Sequence, residues 1–266
     1  MRRTFHHAVA CSTALALPDV TSPTRAGRLD PLRLLCISGP DGQAFLQAQL
    51  TQDLRLLTDG NCLRYAWTSA QGRVLANGSL SRWQDRYLLG VAADLVSSIA
   101  QRLQKFVLRS RVSIEESAPD LLERLLAGNE LPAGPDWEGA DIAGGVPMVS
   151  AATSDKYVPQ MLNLDLIGAV SFTKGCYPGQ EVIARTRHLG RVKRRLYRLR
   201  TPASMAVNSP VFGTDGEIGR VVNTARSASG GEALAVIQAT AAALPMFADE
   251  QLAIGLERLA LPYTMP

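Results

Sequence analysis

Metal ligands and aromatic rings are scarce in this chain: its 266 residues hold 3 His, 4 Cys and 3 Trp, with 6% aromatics in all. The cysteines, Cys11, Cys36, Cys62 and Cys176, stand 25, 26 and 114 residues apart. None pairs at the close spacing of a zinc or cluster site, and four thiols in this length make no disulfide framework. His6 and His7 lie at the N-terminus, and His188 has no acid or Cys at ligand spacing. No metal site built by this chain alone is expected, because borderline metals need three or more convergent ligands. No stretch approaches the roughly 18–20 uninterrupted apolar residues of a spanning helix, so no membrane role is expected. P-loop, GxGxxG and GxSxG patterns are missing too, which leaves nucleotide hydrolysis and serine esterase chemistry without support.

What is present is ordinary globular material: 46% hydrophobic and 20% charged residues, with 22 Gly and 15 Pro. That composition excludes disordered, collagen-like and coiled-coil classes, and the length suits one large or two modest domains. In residues 1–26 the apolar patch 14–17 is broken by Pro18. It is too short for a secretory core and reads as a flexible N-terminus. With so few cysteines a reducing, cytoplasmic setting fits best.

The net charge of +4 is concentrated. Arg185, Arg187, Arg191, Lys193, Arg194, Arg195, Arg198 and Arg200 fall in residues 182–200 without one Asp or Glu, and without those eight charges the rest of the chain carries −4. Such a window suits phosphates, a polyglutamate tail or a partner's acidic face. Only Tyr197 interleaves it, so a single-strand stacking platform, and with it direct nucleic-acid binding, is not indicated.

Periodicity gives the outline. Residues 32–37 read as a strand and turn, followed by a helix with Asp41 at its N-cap and Phe45, Leu46, Gln49 and Leu50 on one face. Residues 65–68, 74–83 and 87–91 read as strands, the last two a hairpin; Leu95, Ile99, Leu103 and Phe106 mark a helix, and Val112 and Ile114 another strand. A short helix is expected over 121–126. A Gly- and Pro-crowded connector without clear period follows, over residues 132–147. Beyond it come short strands at 192–200, 211–212, 218–222, 233–238 and 252–256, the pattern of a small β-barrel or sandwich.

The densest local chemistry is Lys174-Gly175-Cys176-Tyr177-Pro178-Gly179-Gln180-Glu181. Gly175 and the Tyr177-Pro178-Gly179 turn hold Cys176 between two bends. Glu181 and Arg185 stand at i,i+4 on the helix that follows. A thiol just ahead of that helix, with Lys174 beside it, is set up to favour the thiolate.

This octapeptide, with residues 182–185 after it, resembles the signature of the YgfZ-type folate-binding proteins, relatives of the glycine cleavage aminomethyltransferase (T-protein). Residues 37–47, 71–75, Pro159-Gln160 with Asn163-Leu164, 217–222 and 261–263 extend the resemblance over most of residues 30–266. It implies an α+β fold. A T-protein-like folate-binding module over 27–188, with ferredoxin-like α/β subdomains of which the second is shortened, would be followed by a C-terminal antiparallel β-barrel over 189–266. It further implies Cys176 as the reactive thiol with Lys174 and Glu181 as its partners, and a tetrahydrofolate derivative held by Trp137, Gly175, Tyr177, Gly179, Gln180 and Arg185. The partners it implies are iron–sulfur client enzymes, some of them tRNA-modifying, or cluster-assembly factors.

Two departures bear on the chemistry. Ala76-Asn77 stands where T-proteins carry acidic residues, which leaves aminomethyl transfer without a general base. Ala143 stands where the family usually has a Glu suited to a pterin's N–H groups. The alternatives to a folate-binding cluster-support protein are thus a folate-dependent aminomethyl or one-carbon transferase, or a scaffold without folate.

Overall fold

The computed structural model describes residues 32–58, 61–83, 85–117, 137–189, 192–202, 204–227 and 230–266. The readings made for residues 1–26 and 121–126 lie outside them.

Strand β1 (Leu32–Ser38) lies between β4 (Arg86–Ala92) and β5 (Ser113–Glu116) in an antiparallel sheet ordered β2-β3-β4-β1-β5, with β2 at Cys62–Thr68 and β3 at Val74–Trp83. Two helices cover it. In α1 (Gly42–Gln49) Phe45, Leu46 and Gln49 turn inward; in α2 (Val96–Gln104) Val96, Ile99 and Leu103 do so at spacings of three and four. Asp41 precedes α1 as expected but makes no side-chain cap there; its carboxylate accepts the Arg111 N–H at 2.8 Å instead, tying the helix start to the chain entering β5.

Where the sequence shows no period, the chain forms helix α3 (Trp137–Ala143) and then runs without strands from residue 144 to 179. Helix α4 (Gln180–Leu189) leads into six strands closed into an antiparallel barrel, ordered β10-β11-β6-β9-β8-β7. These are β6 (Arg194–Thr201), β7 (Pro210–Gly213), β8 (Gly216–Ser227), β9 (Gly230–Gln238), β10 (Met246–Phe247) and β11 (Gly255–Leu259).

Strand β9 shows why the barrel and the sheet module form one body. Ala233, Ala235 and Ile237 join the barrel's own core, while Leu234 and Val236, on the opposite face, join the core of the sheet module together with Leu196 and Val222. A strand buried on both faces reads as an unbroken apolar run, as this one does. Arg195 of β6 fastens the same junction, donating to the Gln160 carbonyl and the Asp165 carboxylate, each at 2.8 Å, with both side chains largely buried.

Candidate functional site

The signature runs as a loop from residue 171 into α4 and is clamped from three directions. Gly179 has φ +77°, and a Cβ there would come within 2.5 Å of the Gly72 Cα and 2.6 Å of the Gly72 nitrogen. Gly72, at φ +72°, is itself in the tight turn between β2 and β3. Only glycine on glycine lets these two backbones touch. Thr68 adds a hydroxyl donated to the Pro178 carbonyl at 2.6 Å, and Ile183, one turn into α4, is fully buried.

Lys174 supplies the third clamp. Its buried ammonium donates to the carbonyls of Gln47 (2.5 Å), Leu50 (2.6 Å) and Gln52 (3.0 Å), filling acceptors left open where α1 ends. It lies 5.3 Å from the centre of the Tyr177 ring. Burial pulls the Lys174 ammonium down to about 8, opposed by nearby Asp53, and pushes the Tyr177 hydroxyl up to about 12. Asp53, gripped by the Arg55 guanidinium at 2.6–3.1 Å, is held well below the usual carboxylate range. The sequence places Lys174 beside the thiol; the structure turns its charge inward, into the seam with α1.

Cys176 is the residue these clamps leave outside. It is a free, exposed thiol four residues ahead of α4, whereas the free Cys36 is buried in β1. Cys62 is disulfide-bonded, which a reading of reduced cysteines does not anticipate. Gly175 differs from its expected role: a Cβ there would meet nothing within 4 Å and its φ is not positive, so the bend does not require glycine. Glu181 and Arg185 form the expected i,i+4 pair at 2.6 Å, on the exposed face of α4.

The other expected ligand contacts lie elsewhere. Trp137 opens α3, and its side chain is outside the described residues. Between α3 and β8 is a small, half-open pocket lined by Glu138, Asp141, Ile142, Val146, Met148, Asn223 and Thr224, none of them from the signature. Burial pushes the Asp141 carboxyl up to about 6, opposed by the neighbouring Arg64, and raises Glu138 as well. Asn77, at the position of the missing acid, is a structural amide: it donates to the Pro147 carbonyl at 2.7 Å and accepts the Val149 N–H at 2.8 Å. The chain end closes over this region. Leu261 and Tyr263 pack where Gly145, at φ +65°, has no side chain, and the Tyr263 hydroxyl donates to the Gly145 carbonyl at 2.9 Å. Among the described residues no three His, Cys, Asp or Glu groups cluster as a metal site would need.

Sequence reasoning missed Asp141, Arg64 and the carbonyl socket of Lys174. Each depends on a partner far away in the chain.

No family model matches the chain. Curated relatives do. The tRNA-modifying protein YgfZ of Escherichia coli O127:H6 is 29% identical over 66% of this chain and 72% of its own length. That of Shigella boydii serotype 18 is 28% identical over 71% and 75%. Among solved structures, the glycine cleavage system aminomethyltransferase T from Bartonella henselae superposes with a TM-score of 0.64 at 14% identity, covering 88% of this chain and 84% of that one. The antiparallel sheet module, the closed barrel and these comparisons together show a chain similar to the YgfZ proteins over about 70% of its length and built on the aminomethyltransferase T fold.

Proposed function

We propose that the protein is a folate-binding member of the YgfZ group that supports iron–sulfur enzymes, tRNA-modifying ones among them, through the thiol of Cys176. The observation that carries this reading is the contrast inside the signature: three clamps hold the loop, and the one nucleophilic side chain in it faces solvent. A fixed, exposed thiol suits exchange with a partner, while a buried one would be inert.

We place one edge of the folate ring against the small pocket beside α3, on the chemistry of its lining. Asp141 offers a carboxyl to ring N–H and amino donors, Thr224 a hydroxyl, and Ile142, Val146 and Met148 apolar walls. Bound there, the folate would supply a one-carbon carrier, while the chain's own task is to orient the ring and keep it from water. Asn77, committed to backbone partners, offers no general base, which favours support over aminomethyl transfer. The protein would work in the cytoplasm, where the Cys62 disulfide would be transient.

Two measurements test the reading. Cys176→Ala, folded as judged by its melting temperature, should fail to restore activity of an iron–sulfur enzyme in cells lacking the protein; full rescue would refute the thiol's role. Titration with tetrahydrofolate should quench tryptophan fluorescence in the wild type and far less in Asp141→Asn. Absence of quenching up to millimolar ligand would remove folate from the account.

A further inference from the structure

The loop between α2 and β5 carries two apolar side chains in solvent. Phe106 is 44% exposed and Leu108 is 89% exposed. Leu108 also has φ +39°, in the left-handed region that favours glycine, and the turn around it is closed by the Ser110 N–H on the Val107 carbonyl at 2.7 Å. Buried Val107 pins the base of the turn. A strained backbone that presents a bare leucine gains the fold nothing, and such strain is kept where function requires it.

Cations flank the two side chains in the sequence. Lys105 and Arg109 are exposed and have no carboxylate partner among the described residues, whereas Arg111 is tied to Asp41 at 3.4 Å. The Arg102 guanidinium lies 5.7 Å over the Trp67 ring, against which Phe106 packs edge-on at 6.2 Å. Trp67 connects this loop to the thiol's support. It bridges to Leu50, whose carbonyl takes the Lys174 ammonium, and its neighbour Thr68 holds Pro178.

We infer that Phe106 and Leu108, with Lys105, Arg109 and Arg102 beside them in the chain, form a docking knob for a protein partner that presents an apolar socket with an acidic rim. Charge complementarity selects the acidic rim. The leucine selects a protein over nucleic acid, because phosphate contacts need only cations and stacking needs open ring faces. It also disfavours a lipid surface, because Phe106 is held by Trp67 and one free leucine is far short of the apolar face that interfacial anchoring uses. The inference does not depend on what Cys176 does.

The test is selection of displayed random 12-residue peptides on the full chain, with counter-selection on its Leu108→Gly variant. Acid-rich peptides with an apolar centre are expected, binding at least tenfold more weakly to Leu108→Gly and to Arg109→Glu. Peptides with their acids changed to lysine should regain affinity for Arg109→Glu. Leu108→Gly should meanwhile raise the melting temperature by about 1–3 °C, since it relieves the turn. The inference is overturned if no such peptides emerge, or if Leu108→Gly lowers the melting temperature. It is overturned equally if a tRNA pool or phosphatidylglycerol vesicles bind through Arg109 regardless of Leu108.

Discussion

Two stretches that adjoin in sequence face solvent in opposite ways. In residues 171–180 the charged group, Lys174, is buried on backbone carbonyls and the thiol is left outside. In the basic run that follows, the charge stays near the surface but much of it is spent internally. Arg185 pairs with Glu181, Arg195 with Asp165, Arg198 with Glu232 and Arg200 with Glu257, and Arg187 lies 4.0 Å over the Phe172 ring. A local excess of one sign in sequence therefore need not be a binding surface, because acids elsewhere in the chain neutralise part of it. Lys105 and Arg109, beside Phe106 and Leu108, have no such partners among the described residues, in a stretch 102–111 that also carries four basic residues and no acid.

Substitutions can break that contrast, and their expected effects fall in order. Gly179→Ala should cost the most, about 4 kcal/mol in urea unfolding, because it combines a positive φ with a backbone collision at Gly72. Lys174→Met should cost about 3 kcal/mol by leaving three carbonyls without their donor. It should also change the pH dependence. With Lys174 at about 8 in the folded protein against an ordinary 10.5, the unfolded chain holds more protons between those values, so this residue makes stability climb with pH there. Lys174→Met should lose that climb.

The basic run predicts a split of its own. Arg195→Ala should cost about 2–3 kcal/mol, since it strands the largely buried Asp165, while Arg200→Ala, in an exposed pair, should cost under about 1 kcal/mol. Gly175→Ala should be smallest, within about 0.5 kcal/mol of wild type, because open space surrounds it. Equal costs at Gly175 and Gly179 would erase the distinction between the two bends.

Asp141 offers a separate check on the cavity. Burial raises its folded value to about 6 from 3.8, so the folded state binds the extra proton between those pH values and stability falls as pH rises through them. Asp141→Asn should remove that fall and gain at most about 3 kcal/mol at pH 7, while weakening tetrahydrofolate.

Period and turn chemistry made much of the fold legible. The hairpin of β3 and β4, the inward faces of α1 and α2, and the doubly buried β9 all follow from residue spacing. Helix α3 escaped because it is short and glycines and prolines crowd the residues on either side of it, and β10 because two residues carry no period. In the site, Cys176 and the Glu181–Arg185 pair could be read locally. The destination of Lys174 could not, since its acceptors lie more than 120 residues away and are backbone atoms that any sequence would provide.

The central claim is that the signature loop is built to hold one thiol in solvent. Timed alkylation of the native protein with iodoacetamide, read by mass spectrometry, tests it directly. Cys176 should label fully while Cys36 stays protected until denaturant is added. Protection of Cys176, or labelling of Cys36 at the same rate, would contradict it.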